Sequence, residues 1–418
     1  MRISKYKVGS RRFITFVDDF EIPVYPLANA YIYASCGMLS FSTLERVAWE
    51  LKFVLDYFES EKVCLEQRVK TGQFLSVAEI SGFYLAARLQ KNSLNSQKKV
   101  SIIPSIESKS LRNAISEDII KPDKVSPETC SGRVRRFRQY LEFIFDYYFE
   151  EAPPPMEHVI RYRSVLQKLK MRESTSIRSG AYTPLSLDES VIPDKIFNNL
   201  LKIIKPTNEN NPFTGCRFRN YLILSILIQT GIRRSEVCKL KVSDCQFYSH
   251  ANRLKIYSTP NDPMDPRLNR PNKKVGKGHL SGIHPDLMQD LLYYIKHIRE
   301  KYPQSKTHDF IFVAEKNSHS TSGLPITREL VNYMLKRASS KLKYNISPHL
   351  LRHKWNEQLS EKGLAKGIDR ERLEDMRRNA MGWSPRSNMG DVYNKKYEQI
   401  RAIELMTSHQ EKVDGKSC

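Results

Sequence analysis

Arginine, histidine and tyrosine recur in the second half of this 418-residue chain at spacings that suit phosphate chemistry. The first segment is Thr230-Gly231-Ile232-Arg233-Arg234-Ser235-Glu236. Gly231 reads as the glycine that ends a buried helix, with the next helix starting near Ser235. An arginine in such a corner is fixed by backbone on both sides. That is one way to present a guanidinium fork to a phosphate. Glu236 could orient an arginine there or accept from backbone amides. A turn with exposed arginines is the plain alternative. The second segment is Ser347-Pro348-His349-Leu350-Leu351-Arg352-His353. Pro348 suits a first helical turn. His349 and Arg352 then share a face, and an imidazole beside a guanidinium makes a phosphate clamp with a proton handler. His353 reads as a buried hydrogen-bonding residue. The third segment is Met381-Gly382-Trp383-Ser384, followed by Asp391-Val392-Tyr393-Asn394-Lys395-Lys396-Tyr397. Aromatics at that spacing would, taken alone, be core.

These residues need elements to hold them. Apolar periodicity predicts a helix from a Ser42 cap, with Glu45 completing a capping box and Leu44, Val47, Ala48, Leu51, Leu55 and Phe58 on one face. Further helices are predicted over 77–89, 131–151 and 157–170, after two short β-like runs at 12–17 and 22–25. The 131–151 helix opens with Arg133, Arg135, Arg136 and Arg138. Those arginines could grip DNA or form a solvated face beside a core stripe. The Ser/Thr/Gly-rich stretch 172–186 reads as a linker. It separates an N-terminal helical domain (1–171) from a second domain (187–400) and a terminal tail (401–418). In the second domain helices are expected at 193–204, 217–230, 235–240, 285–301, 327–343, 350–362, 370–380 and 398–408, with strands at 253–257 and 279–283. The fold class is therefore mainly α with a small antiparallel sheet in the C-terminal domain.

Composition narrows the partner. Lys and Arg number 68 against 46 Asp and Glu, a formal charge of +22, which calls for a polyanion, nucleic acid first. Seven cysteines are scattered without zinc or disulfide spacing, so no metal site is expected and free thiols in a reducing cytoplasm are. The most apolar run, Tyr221 to Ile228, is far too short to span a bilayer, and no secretory signal follows Met1.

The order of the segments, Arg in a corner, lysines in a hairpin, H-x-x-R-H, G-W and then Tyr, resembles the tyrosine recombinase or phage integrase family over about residues 185–400. The resemblance implies an N-terminal helical, SAM-like core-binding domain and a mixed α+β integrase-type catalytic domain. It implies Arg233, Lys274, His349, Arg352 and Trp383 as catalytic residues, Tyr393 as nucleophile, and Glu236 and His353 in support. Lys274 is taken from Asn272-Lys273-Lys274-Val275-Gly276-Lys277-Gly278 because it fits the family's K-x-G form, leaving Lys273 and Lys277 as DNA-binding candidates with Arg133, Arg135 and Arg136. Tyr393, ten residues after Trp383, is preferred to Tyr397. The implied activity is site-specific cutting and rejoining of double-stranded DNA through a 3′-phosphotyrosine, without cofactor. A tetrameric synapse of homo-oligomers, serving a mobile element on the chromosome, is implied as well. A type IB topoisomerase-like enzyme and a decayed DNA-binding accessory protein are the alternatives.

Overall fold

The computed structural model describes residues 1–9, 11–37, 39–90, 124–180, 192–247, 251–259, 262–271, 278–316 and 320–384. It also describes Ser387, Gly390, Ala402, Leu405 and Met406, and of 175–180 it describes backbone only. The chain divides into two compact units, Met1–Pro184 and Leu185–Cys418. The described residues are mainly helical with two small antiparallel sheets.

In the first unit, β1 (Arg2–Val8) and β2 (Arg11–Val17) form an antiparallel ribbon with Arg2 opposite Val17 and Val8 opposite Arg11. The expected run at 22–25 supplies only a bridge from Pro23 to Val17. β1 escaped notice because its Lys and Arg residues hide a strand whose apolar partner face belongs to β2. Asn29, on α1 (Pro26–Ala34), staples the ribbon: its Oδ1 accepts from Phe16 N at 2.9 Å and its Nδ2 donates to Val24 O at 2.8 Å. α2 (Phe41–Ser60) begins two residues earlier than expected. Its cap is Ser40, whose hydroxyl accepts from Thr43 N at 3.3 Å, because buried Phe41 belongs inside the first turn. All six residues expected on its apolar face are buried. α3 (Leu65–Thr71) and α4 (Val77–Ala87) follow. α5 (Pro127–Phe149) is capped by Ser126, and α6 (Met156–Gly180) runs on through part of the stretch read as a linker. Phe58, Phe83 and Phe137 cluster in this core, with ring centroids 4.6–5.6 Å apart.

The second unit starts with α7 (Asp194–Ile203) and is built around α8 (Arg217–Thr230), which is buried nearly all round from Leu222 to Ile228. A helix apolar on every side can only be a central one. The short α9 (Arg234–Val237) leads to a three-stranded antiparallel sheet in the order β3 (Cys245–Gln246), β4 (Arg253–Ile256), β5 (His279–Gly282). β4 and β5 pair from Arg253 opposite Gly282 to Ile256 opposite His279. α10 (Pro285–Tyr293) continues through a wider π turn at Tyr294–Ile298. α11 (Arg328–Leu342), α12 (Pro348–Ala365) and α13 (Arg370–Met381) complete the described helices. The helix expected at 398–408 lies largely outside the described residues. Among those residues no helix is long and apolar enough to cross a membrane.

Candidate active site

The site grows from the end of α8. Gly231 caps that helix in the left-handed conformation at φ 62°, its N–H donating to Leu227 O at 3.1 Å. A Cβ there would lie 2.8 Å from both Met381 Cε and Trp355 Cδ2, so the position needs glycine for space as well as for φ. Two residues later Arg233 caps α9 with extended backbone. Glu236, 1% exposed, takes both of its offers: Oε2 accepts from Arg233 N at 2.6 Å and Oε1 from Arg233 Nη1 at 3.3 Å. A buried carboxylate thus fixes the backbone and the half-buried guanidinium of one residue at once. Glu236 thus contacts both an arginine side chain and a backbone amide.

α12 delivers the second group. Ser347 caps it, accepting from Leu350 N at 3.2 Å, and Pro348 occupies the first turn. Arg352 is buried, and its Nη1 donates to Gly231 O at 2.7 Å. One turn on, Trp355 Nε1 donates to Gln229 O at 2.8 Å. Two side chains of α12 therefore hold the terminal carbonyls of α8, groups a helix end leaves without intrahelical partners. His349 is exposed while His353 is buried, and their rings meet edge to face with centroids 4.4 Å apart. The expectation of a buried His353 matches this placement.

The third segment closes the site from behind. Gly382 ends α13 in the left-handed conformation, and Trp383 follows, buried, with its backbone N–H donating to Arg378 O at 2.9 Å. The Arg352 guanidinium lies 5.7 Å from the Trp383 ring centre, within cation–π range. Met381, Trp383 and Trp355 form one small apolar cluster. α13 is locked to α12 by the buried Arg377, which donates to Ser360 Oγ and to Glu374 Oε2. Arg233, Glu236, His349, Arg352, His353 and Trp383 thus sit on elements that meet around one corner. Lys273, Lys274, Lys277 and Tyr393 lie outside the described residues.

The first unit's arginine candidates divide. Arg136 is buried, with Nη2 and Nε on Glu50 Oε2 at 3.0 and 3.1 Å and Nη1 on Tyr31 Oη at 2.6 Å. It is an internal tie, and only its helical phase facing Tyr31 could have said so. Arg133 donates to Ala87 O and Leu89 O at 3.0 and 2.8 Å and covers the Phe53 ring at 3.9 Å. Arg135 pairs with Glu173 at 2.6 Å but remains partly exposed.

One residue near the corner went unread in the sequence. Lys239, two residues beyond α9, is 5% exposed. Its Nζ donates to Tyr257 O at 2.7 Å and to Thr259 Oγ1, and lies 4.7 Å from the Tyr257 ring centre. Burial pushes its pKa down to about 8 against the opposing pull of Asp244, Asp262 and Asp265, with Lys241 adding to the depression. Its neighbours Val237 and Leu240 are buried, and a lysine in that apolar run was the available signal.

Residues 197–398 match the model described as the phage integrase family. A curated relative, tyrosine recombinase XerA of Pyrococcus horikoshii, is 25% identical over 181 residues, 43% of this chain and 50% of that protein. The chain therefore matches about half the length of that relative. Among solved structures, that of XerA recombinase is similar at 13% identity, covering 92% of this chain and 98% of that one with a TM-score of 0.35. That of XerH site-specific recombinase bound to difH substrate is similar at 16% identity, covering 64% and 70%, with a TM-score of 0.37. These whole-chain superpositions are loose.

Proposed function

We propose, from the match of residues 197–398 to the phage integrase family, that the protein is a tyrosine-type site-specific recombinase of duplex DNA. The observation that carries the reading is the shared corner. Arg233 and Arg352, remote in sequence, are both tied to the 231–236 turn, one through Glu236 and the other through the Gly231 carbonyl. Two guanidinium groups held on one turn suit the two non-bridging oxygens of a phosphodiester.

The chemistry follows from those groups. Two positive charges offset the repulsion a phosphodiester presents to a nucleophile, and they stabilise the charge of a pentacoordinate transition state. Tyr393 Oη attacks phosphorus and forms a 3′-phosphotyrosine, while the bond to the 5′ oxygen breaks. Tyrosine holds its proton to about pH 10, so nearby guanidinium charge favours the phenolate, and the exposed His349 accepts its proton. Lys274 supplies a proton to the departing 5′ oxygen. Trp383 packs beneath Arg352, and its indole N–H can donate but not exchange a proton. The phosphotyrosine conserves the bond energy, so a 5′-hydroxyl of another strand can attack, reseal the DNA and release the tyrosine. Exchange between two sites calls for a tetrameric synapse, and integration, excision or transposition of a mobile element is the proposed setting.

A nicked suicide duplex carrying the cognate site tests this. Wild-type protein is expected to accumulate a covalent adduct, Tyr393→Phe none, and Tyr397→Phe an undiminished amount. Adduct surviving Tyr393→Phe but lost in Tyr397→Phe would move the nucleophile. No adduct from wild type on its true site would favour a DNA-binding accessory role.

A further inference from the structure

Among the buried cations that the proposed chemistry does not use, Lys239 bridges two elements beside the arginine corner. Lys239 sits just past the short helix that Arg233 begins, yet its ammonium reaches across to the end of β4. It holds the Tyr257 carbonyl and the Thr259 hydroxyl, just after the strand ends at Ile256. The returning chain meets the same place. A Cβ on Gly278 would stand 3.5 Å from Ile256 O and from Tyr257 Cβ, so the hairpin stem closes at Tyr257 and Gly278. Next to it, Lys241 Nζ pairs with Asp262 Oδ2 at 2.6 Å. Arg267 donates to Cys238 O at 2.9 Å and to Asp265 at 2.8 Å, pinning the outgoing connection to the same turn. The Arg233 corner and the base of the hairpin are therefore joined through one side chain. Lys274 is only four residues from Gly278 in the sequence.

We propose that Lys239 is a positioning residue for protonation of the leaving 5′ oxygen, fixing the ends of β4 and β5, between which Lys274 lies in the sequence, relative to the arginine corner. The inference rests on the reading of Lys274 as general acid. A purely structural lysine would slow every substrate alike. A positioning lysine would slow only cleavage that needs the proton.

Bridging sulfur separates the two. A thiol is far more acidic than an alcohol, so a 5′-thiolate departs without a proton. Cleavage rates are measured on suicide duplexes with 5′ oxygen or 5′ sulfur at the scissile phosphate, for wild type, Lys239→Met and Lys274→Ala. Lys239→Met is expected to cleave the oxygen ester at least tenfold slower and the sulfur ester within threefold of wild type, with DNA affinity within twofold. Thr259→Val, which keeps the lysine and removes one acceptor, is expected to show the same pattern more weakly, and it carries the test if Lys239→Met fails to fold. Equal slowing on both esters, or an unslowed oxygen ester, overturns the proposal. Lys274→Ala is the control: if sulfur does not restore it, the general-acid reading itself has failed. If sulfur restores Lys274→Ala but not Lys239→Met, only the positioning role falls.

Discussion

Single residues decide how well the phosphate corner is made. Gly231 has three tasks: it ends α8, leaves room for Trp355 and Met381, and offers its carbonyl to Arg352. Gly231→Ala adds a left-handed alanine, costing about 1 kcal/mol, and an overpacked contact costing about 1–3 kcal/mol. The midpoint of urea unfolding should fall accordingly, and adduct formation should drop more than tenfold because Arg352 loses its seat. At this scale much was legible from the sequence. Arg233, Glu236, Arg352 and Trp383 are all held about the corner that their order in the chain implied. Lys239 was not legible, because nothing in a linear run says that a lysine will find a carbonyl just past a strand, eighteen residues away. Arg136 misled for the same reason, its Glu50 partner lying 86 residues upstream.

At the scale of elements, α12 is the strut on which the site depends. Its buried Lys354 pairs with Asp194 at the start of α7 at 2.7 Å and with Glu357 at 2.8 Å. These partners hold the lysine's pKa above its ordinary value despite burial, while burial raises that of Glu357. Lys354→Met keeps the volume but leaves a poorly solvated carboxylate alone, the costly way to break such a pair, at about 3 kcal/mol. Thermal unfolding followed by far-UV circular dichroism should show the loss at neutral pH. Helices were legible wherever an apolar stripe ran for several turns, as in α2 and α8. Boundaries were less so. Ser42 scored as a cap on its spacing to Glu45, but the chain uses Ser40 so that Phe41 can be buried. β1 was missed because its hydrophilic residues carry little period-two signal, its pairing being dictated by β2.

For the whole molecule, the excess of 22 positive charges sets the terms on which the proposed DNA partner would be met. Buried cations such as Arg136, Lys239, Lys354 and Arg377 are committed to internal partners, so binding falls to the exposed remainder. If that remainder neutralises 6–10 phosphates, affinity should fall roughly 10³–10⁵-fold between 50 and 200 mM salt. Fluorescence anisotropy on a labelled duplex would read this slope. A flat response would remove the charge argument for a DNA-wrapping surface. Removing a single exposed lysine should flatten the slope by only about one unit, whereas the arginine corner should govern cleavage with little effect on it.

The bond from Arg352 to the Gly231 carbonyl spans 121 residues of sequence. A ribosome adding about 5–20 residues per second takes roughly 6–24 s to make that stretch. Throughout that time the nascent chain carries the first arginine without the second. On the proposed function, the capacity to break DNA is therefore acquired only after most of the protein has been made, and a product that ends before α12 lacks it.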